Sequence, residues 1–261
     1  MSILPIQFDP PLSPRETLPT MYDLPSENAE EPGLPDEFHL LLPQILQLTF
    51  QPRNWSADQV FSAADLNLYY DVKHPRWYKR PDWFGVVGVS RLYDERELRL
   101  SYVIWQEIVS PFVVVELLSP GTENEDLGET ISEPGNPPTK WQVYEQILRV
   151  PYYVIFSRYT NQLQAFRLMG GHYERIPLNN GRLQVPELGL SLGLWQGEYQ
   201  GINRIWLRWF TLEGDIIPLP TEIAATAQQR AITAEQRAIT AEQRAEKLAA
   251  KLRELGINPD E

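Results

Sequence analysis

Glu116 sits inside an apolar run, Phe112-Val-Val-Val-Glu-Leu-Leu118, that closes on Ser119-Pro-Gly. A continuous run of this length, ended by turn residues, predicts a strand buried on both faces. A lone carboxylate on such a strand costs several kcal/mol unless a metal ion, a cation or a hydrogen-bond network compensates it. Thirty-four residues upstream a second apolar run opens on an acid, Pro81-Asp82-Trp-Phe-Gly-Val-Val-Gly-Val89. Two strands that each bring a carboxylate to one place make an oxygen-rich site suited to Mg²⁺ or Mn²⁺. An ion held there would activate water for hydrolysis.

Other chemistries are poorly supplied. The chain has no cysteine, which removes disulfides, thiolate nucleophiles and Cys-type zinc sites together. Its three histidines, His39, His74 and His172, stand far apart without ligand spacing. Ser119 reads as a turn residue, since no histidine lies near it in sequence to activate it. Glu107 and Glu123 read as surface charges.

The carboxylates also carry a resemblance. Pro81-Asp82 before one strand and Glu116 within the next resemble the PD-(D/E)XK nuclease superfamily. The longer run Val115-Glu-Leu-Leu-Ser-Pro-Gly-Thr122 is followed by Asp126, then Lys140 and Tyr144, then Val150-Pro-Tyr-Tyr-Val154. Together these resemble the bacterial Uma-type family of endonucleases, from about Pro35 to Pro220. The resemblance implies an α/β (α+β) fold, a restriction-endonuclease-like core whose central mixed β-sheet is flanked by helices. It implies an endonuclease using Mg²⁺ or Mn²⁺ on DNA, with Asp82 and Glu116 as ligands and the Leu117 backbone carbonyl (or that of Leu118) completing the shell. The superfamily lysine two residues after the glutamate is absent, because position 118 is leucine. The resemblance gives that role to Lys140, beyond an insert of residues 127–138, and leaves Asp126 a weaker candidate.

The elements that position these residues follow from pattern. Asp36 to Gln51 carries Phe38, Leu40, Leu41, Ile45, Leu46 and Leu48 on a helical stripe. Thr139 caps a helix predicted to run to about Arg149 and stop at Pro151, with Trp141, Tyr144 and Leu148 facing the sheet. Lys140 falls in its first turn, where the helix dipole disfavours an ammonium unless anions lie close. Strands are predicted at about Asn67, at Leu98–Trp105 with Arg99 and Ser101 on a wetter face, and at 152–156, 162–169 and 173–176. Residues 189–199 have no readable shape, and 204–217 predict a hairpin closed at Glu213-Gly214. Lys73, Arg76, Lys79 and Arg80 alternate with aromatics just before Asp82, as a phosphate-and-base surface would require, or as a solvated loop would allow.

The net charge of −12 argues against a general nucleic-acid-coating surface. Its distribution is uneven: residues 1–37 hold eight acids against Arg15, so the other 224 residues carry only −5. Three regions follow: an acidic, proline-rich and mostly irregular arm (1–35), the nuclease-like domain (36–220) and a C-terminal heptad helix (221–261). In the last, Gln-Arg-Ala-Ile-Thr-Ala-Glu occurs twice in succession, at 229–235 and 236–242, uninterrupted by glycine or proline. Placing Ala227, Ala234, Ala241, Leu248 and Leu255 at d sets Arg230, Arg237, Arg244 and Lys251 at g against Glu235 and Glu242 at e, a pattern for a parallel homodimer. No apolar run reaches the ~18 residues of a membrane span, so a cytoplasmic protein is expected. The rival to the nuclease is a catalytically silent scaffold acting through its arm and coiled-coil tail, favoured by the missing Glu-x-Lys lysine and the acidic charge. Another metal-dependent hydrolase using the same carboxylates is a third reading.

Overall fold

Three valines, Glu116 and a leucine form β6 (Val113–Leu117), every residue of it buried. It is an inner strand of a six-stranded sheet in the computed structural model, which describes residues 12–25, 33–119, 123–133 and 135–255. The strand order is β1 (Val60–Ala63), β4 (Trp83–Val87), β6, β7 (Tyr152–Ser157), β8 (Gln162–Met169) and β9 (His172–Arg175). β6 and β7 run parallel, and the other neighbours are antiparallel, so the sheet is mixed. β4 and β7 are as fully buried as β6, which explains their unbroken apolar sequences.

Parallel neighbours cannot be joined by a tight turn; they need a crossover. Residues 118–151 supply it, carrying α4 (Glu123–Asp126) and α5 (Lys140–Gln142). After α5 the chain makes one π-helical turn, Val143–Ile147, where a continuous α-helix to Arg149 was expected. The wider turn buries three successive side chains, Val143, Tyr144 and Glu145, and Glu145 accepts the Tyr173 N–H at 2.7 Å. Tyr144 and Leu148 do face the sheet, and the Trp141 ring meets Tyr153, Phe166 and Tyr173 edge-on.

A second sheet is the antiparallel meander β10 (Arg182–Val185), β11 (Leu190–Tyr199) and β12 (Ile202–Thr211). The expected hairpin at Glu213-Gly214 is thus corrected: β12 pairs along its length with β11 across Gln200-Gly201, and only a single bridge, Phe210 to Ile216, spans the later turn. α2 (Glu37–Thr49) buries Phe38, Leu41, Ile45 and Leu46, and its Phe38 ring stacks on Trp206 of β12 and meets Phe156 of β7. The smallest sheet joins β3 (Tyr78–Lys79), β2 (Leu68–Tyr69) and β5 (Tyr102–Val103).

Two further expectations change here. The strand at Leu98–Trp105 shrinks to β5 and turns at once into α3 (Ile104–Glu107). Arg99 and Glu107, read as wet, form a buried ion pair at 2.9 Å with the Arg99 guanidinium over Phe61. The cause is tertiary: residues 12–25 of the arm, which include α1 (Pro14–Thr17), lie against this segment. Trp105 Nε1 donates to the Pro19 carbonyl at 2.8 Å, Gln106 Nε2 donates to those of Pro14 and Pro19, and Met21 is buried beside Tyr69 and Val103. This part of the arm is therefore packed; residues 1–11 and 26–32, and Pro120–Thr122 of the motif, lie outside the described residues.

The chain divides into two compact units, Met1–Ile217 and Pro218–Glu261. The second holds α6 (Pro220–Glu254), 35 residues with no buried side chain. Pro220 opens it, and Glu222 accepts the Leu219 N–H at 2.7 Å. No described helix is long and apolar enough to cross a membrane.

Candidate active site

The antiparallel register that pairs Trp83 with Val115 sets Asp82 beside Glu116. Asp82 Oδ2 accepts the Leu117 N–H at 2.6 Å, and the Asp82 N–H points at Glu116 Oε2 from 3.4 Å. Glu116 is wholly buried, and the crossover surrounds it. Lys140 Nζ donates to its Oε2 at 2.9 Å, and the Tyr144 hydroxyl donates to its Oε1 at 2.8 Å. The same ammonium lies 3.0 Å from Asp126 Oδ1, another buried carboxylate. Asp126 is itself held through its backbone carbonyl, which accepts from the Tyr153 hydroxyl at 2.9 Å.

Lys140 is placed by its cap. Thr139 and Gln142 exchange hydrogen bonds, backbone N–H to side chain in both directions, which starts the helix at residue 140. The Lys140 N–H donates to Glu125 Oε1 at 2.9 Å, and Glu125 is paired in turn with Lys79 at 2.9 Å. Anions therefore surround an ammonium that the helix dipole alone would repel.

The electrostatics follow from burial. Loss of water pushes the Glu116 carboxyl up to about 7, with Asp82 adding to the shift and Lys140 and Tyr144 opposing it. Asp82 is raised by the same burial, against Lys140 and the Leu117 N–H. Burial works against the Lys140 charge, but Glu116, Asp126 and Asp82 outweigh it and hold that ammonium above the usual lysine value. The buried Glu116 and Asp126 and the partly buried Asp82, fully ionised, would thus face one ammonium. The excess negative charge can be relieved by a proton, which is the direction of the Glu116 shift, or by a cation. The donors suit a hard divalent ion: two carboxylates and the Leu117 carbonyl, all oxygen. Among the described residues, no three acidic or histidine side chains are grouped closely enough to hold an ion by themselves.

One participant was not legible in sequence. His39, in the first turn of α2, is buried; its Nδ1 lies 2.9 Å from Asp36 Oδ1. A carboxylate only accepts, so Nδ1 carries the hydrogen. Its Nε2 lies 3.2 Å from the Leu117 carbonyl oxygen and 3.0 Å from Ser119 Oγ. No histidine stands near Ser119 in sequence, but the fold supplies one from 80 residues away. The available signal was Asp36-x-x-His39, where the N-cap aspartate of a helix faces its own third residue.

The four basic residues ahead of Asp82 separate. Lys79 is held by Glu125 and Arg80 by Asp65 at 2.8 Å. Lys73 and Arg76 form no ion pair among the described residues; their loop is ordered by Asp71, which bonds His74 at 2.7 Å, and by the stacking of His74 on Trp77 at 3.8 Å.

No curated protein matches this sequence. Among solved structures, the chain is similar to one from Anabaena variabilis ATCC 29413, described as "a putative nuclease belonging to DUF820", at 10% identity and a TM-score of 0.40, covering 60% of this chain and 76% of that one. The model of the Uma2 family, described as "Putative restriction endonuclease", matches residues 16–203. That span includes Asp82, Glu116 and Lys140, and the chain belongs to the Uma2 family.

Proposed function

We propose that this protein is an endonuclease that hydrolyses DNA phosphodiester bonds with a divalent ion held at Asp82, Glu116 and the Leu117 carbonyl. The observation that carries the reading is the convergence of Lys140 on Glu116 of β6 and Asp126 of α4, at 2.9 Å and 3.0 Å. Carboxylates from two strands and a cation from the next helix give metal donors and a fixed positive charge in one buried place. A bound Mg²⁺ or Mn²⁺ would supply a water of lowered pKa and offset charge on the phosphate and the leaving oxygen. Lys140 then neutralises charge on the non-bridging phosphate oxygens or orients the attacking water, a role suited to a compact ammonium. Tyr144 holds Glu116 from behind, and Asp82 fixes the backbone at Leu117. Lys73 and Arg76 are available to phosphates of the same strand.

A second reading is favoured by one specific feature, the Lys140 ammonium lodged among the carboxylates. In it Glu116, Asp126 and Lys140 form a closed ion-pair cluster, and the protein acts as a scaffold. Replacing Asp82 by Asn or Glu116 by Gln separates the two. In the nuclease reading, each change abolishes Mg²⁺- or Mn²⁺-dependent cutting of single-stranded, duplex or structured DNA and weakens Mn²⁺ binding, while circular dichroism shows the fold retained. Wild-type cutting by both purified variants would place the activity elsewhere.

A further inference from the structure

Two arginines share one aromatic ring beside the carboxylate site. Arg158 follows β7, and Arg204 lies near the start of β12; their guanidinium carbons stand 5.8 Å and 4.3 Å from the centroid of the same Phe38 ring. The Arg204 Nη2 donates to the Arg158 carbonyl oxygen at 3.5 Å, so the two side chains are neighbours. Their charges face one carboxylate. Asp36 Oδ2 pairs with Arg158 at 2.8 Å, while Asp36 Oδ1 is already engaged by His39 and by the N–H groups of Phe38 and His39. Arg204 makes no ion pair among the described residues. The Nε–H groups of both arginines are buried without an acceptor. Arg204 is held below the usual guanidinium value by burial and by Arg158, against the pull of Asp36. Like charges are thus brought together with donors to spare, an arrangement that an added anion would relieve.

The setting indicates which anion. Arg158 remains a quarter exposed, and its guanidinium lies 4.7 Å from the exposed ring of Tyr159. A continuous line of contacts runs from Arg158 through Asp36 and His39 to the Leu117 carbonyl, one residue from Glu116. We propose that Arg158 and Arg204 form a phosphate-binding subsite that grips the backbone of a nucleic-acid strand beside the scissile bond, with Tyr159 offering a stacking face to an adjacent base. Forked guanidinium donors match phosphate oxygens, and an exposed aromatic ring beside them suits a splayed base. The inference rests on the nuclease reading, because the carboxylate site defines which strand is held.

The test measures binding, not cutting. Full-length protein in EDTA is titrated into fluorescein-labelled single-stranded and duplex oligonucleotides, with anisotropy read from 50 to 200 mM NaCl. Arg158→Gln with Arg204→Gln should lower affinity by about tenfold or more and flatten the log–log salt dependence by about 1 to 2. Replacing both by lysine should keep most of the salt slope. Because Arg204 packs on Phe38, a second measurement uses the unmodified chain: phenylglyoxal labelling, with mass spectrometry reading Arg158 and Arg204 with and without oligonucleotide. Protection of both supports the subsite. Unchanged slope and affinity in folded double variants, or labelling indifferent to oligonucleotide, overturns it and leaves the nuclease reading standing. A wild-type chain that binds no oligonucleotide at any salt overturns both.

Discussion

At Glu116 a carboxylate is placed where water cannot reach it, and everything around it answers that fact. Lys140 and Tyr144 bond its two oxygens, and burial still pushes its proton affinity up to about 7. In the metal-binding reading a proton and a metal ion therefore compete for the same oxygens. Mn²⁺ affinity, measured by isothermal calorimetry, should rise as pH climbs through about 7 and level off above it. Lys140→Ala removes a charge that lowers the Glu116 shift, so the midpoint should move to higher pH. The same variant should lose turnover worth about 2–4 kcal/mol of barrier, the usual scale for one preorganised charge. A midpoint that stays put in Lys140→Ala would show that the ammonium does not act on Glu116. Linkage gives the sign for stability. Between the ordinary glutamate value of 4.5 and about 7 the native carboxyl holds more proton than the unfolded one, so this group's contribution to stability falls as pH rises across that window.

Among the elements, the crossover and the tail contrast. The crossover is short in regular structure, yet it delivers Asp126, Lys140 and Tyr144 to one strand end because a parallel β6–β7 pair forces it over the sheet. The tail is regular and buries nothing. Arginine at g and glutamate at e, repeated, suit a parallel pair of α6 helices, while a mostly alanine seam buries little area per layer. Full-length protein should therefore show a concentration-dependent dimer in multi-angle light scattering, and deletion of residues 222–261 should leave a monomer. A monomeric full-length chain would end the coiled-coil reading. A truncated chain that remains dimeric would move the interface to the other unit. Ile232 and Ile239, at 40% and 48% exposure, stand at b outside that seam.

For the molecule as a whole, the net charge of −12 supplies no general field that attracts nucleic acid, so in the nuclease reading a strand is drawn to local cation clusters. In the metal-binding reading, the ion is also a stability lever. An ion that binds only the folded chain adds about 2.7 kcal/mol at one hundred times its Kd. Mn²⁺ should raise the Tm measured by scanning calorimetry, and Glu116→Gln should remove that rise. A Tm that ignores Mn²⁺ in the wild-type protein is the outcome expected of a closed ion-pair scaffold.

The buried strands at Asp82 and Glu116, the capped start at Thr139, the α2 helix (with Leu40 and Leu48 of its expected stripe left exposed) and the 35-residue α6 were legible as local pattern, because each is set by apolar period and capping chemistry within a few residues. The mixed sheet was carried by the family resemblance, not by any single segment. Tertiary structure decided the rest. Trp105 and Gln106 become helical against the arm, whose carbonyls their side chains bond, and Arg99 and Glu107 go inside as a pair. No spacing rule gives a π turn at Val143–Ile147; packing Tyr144 toward Glu116 and Glu145 toward β9 does. His39 reaches Ser119, and Arg158 meets Arg204, only because α2 and the ends of β7 and β12 come together, across separations that sequence periodicity does not encode.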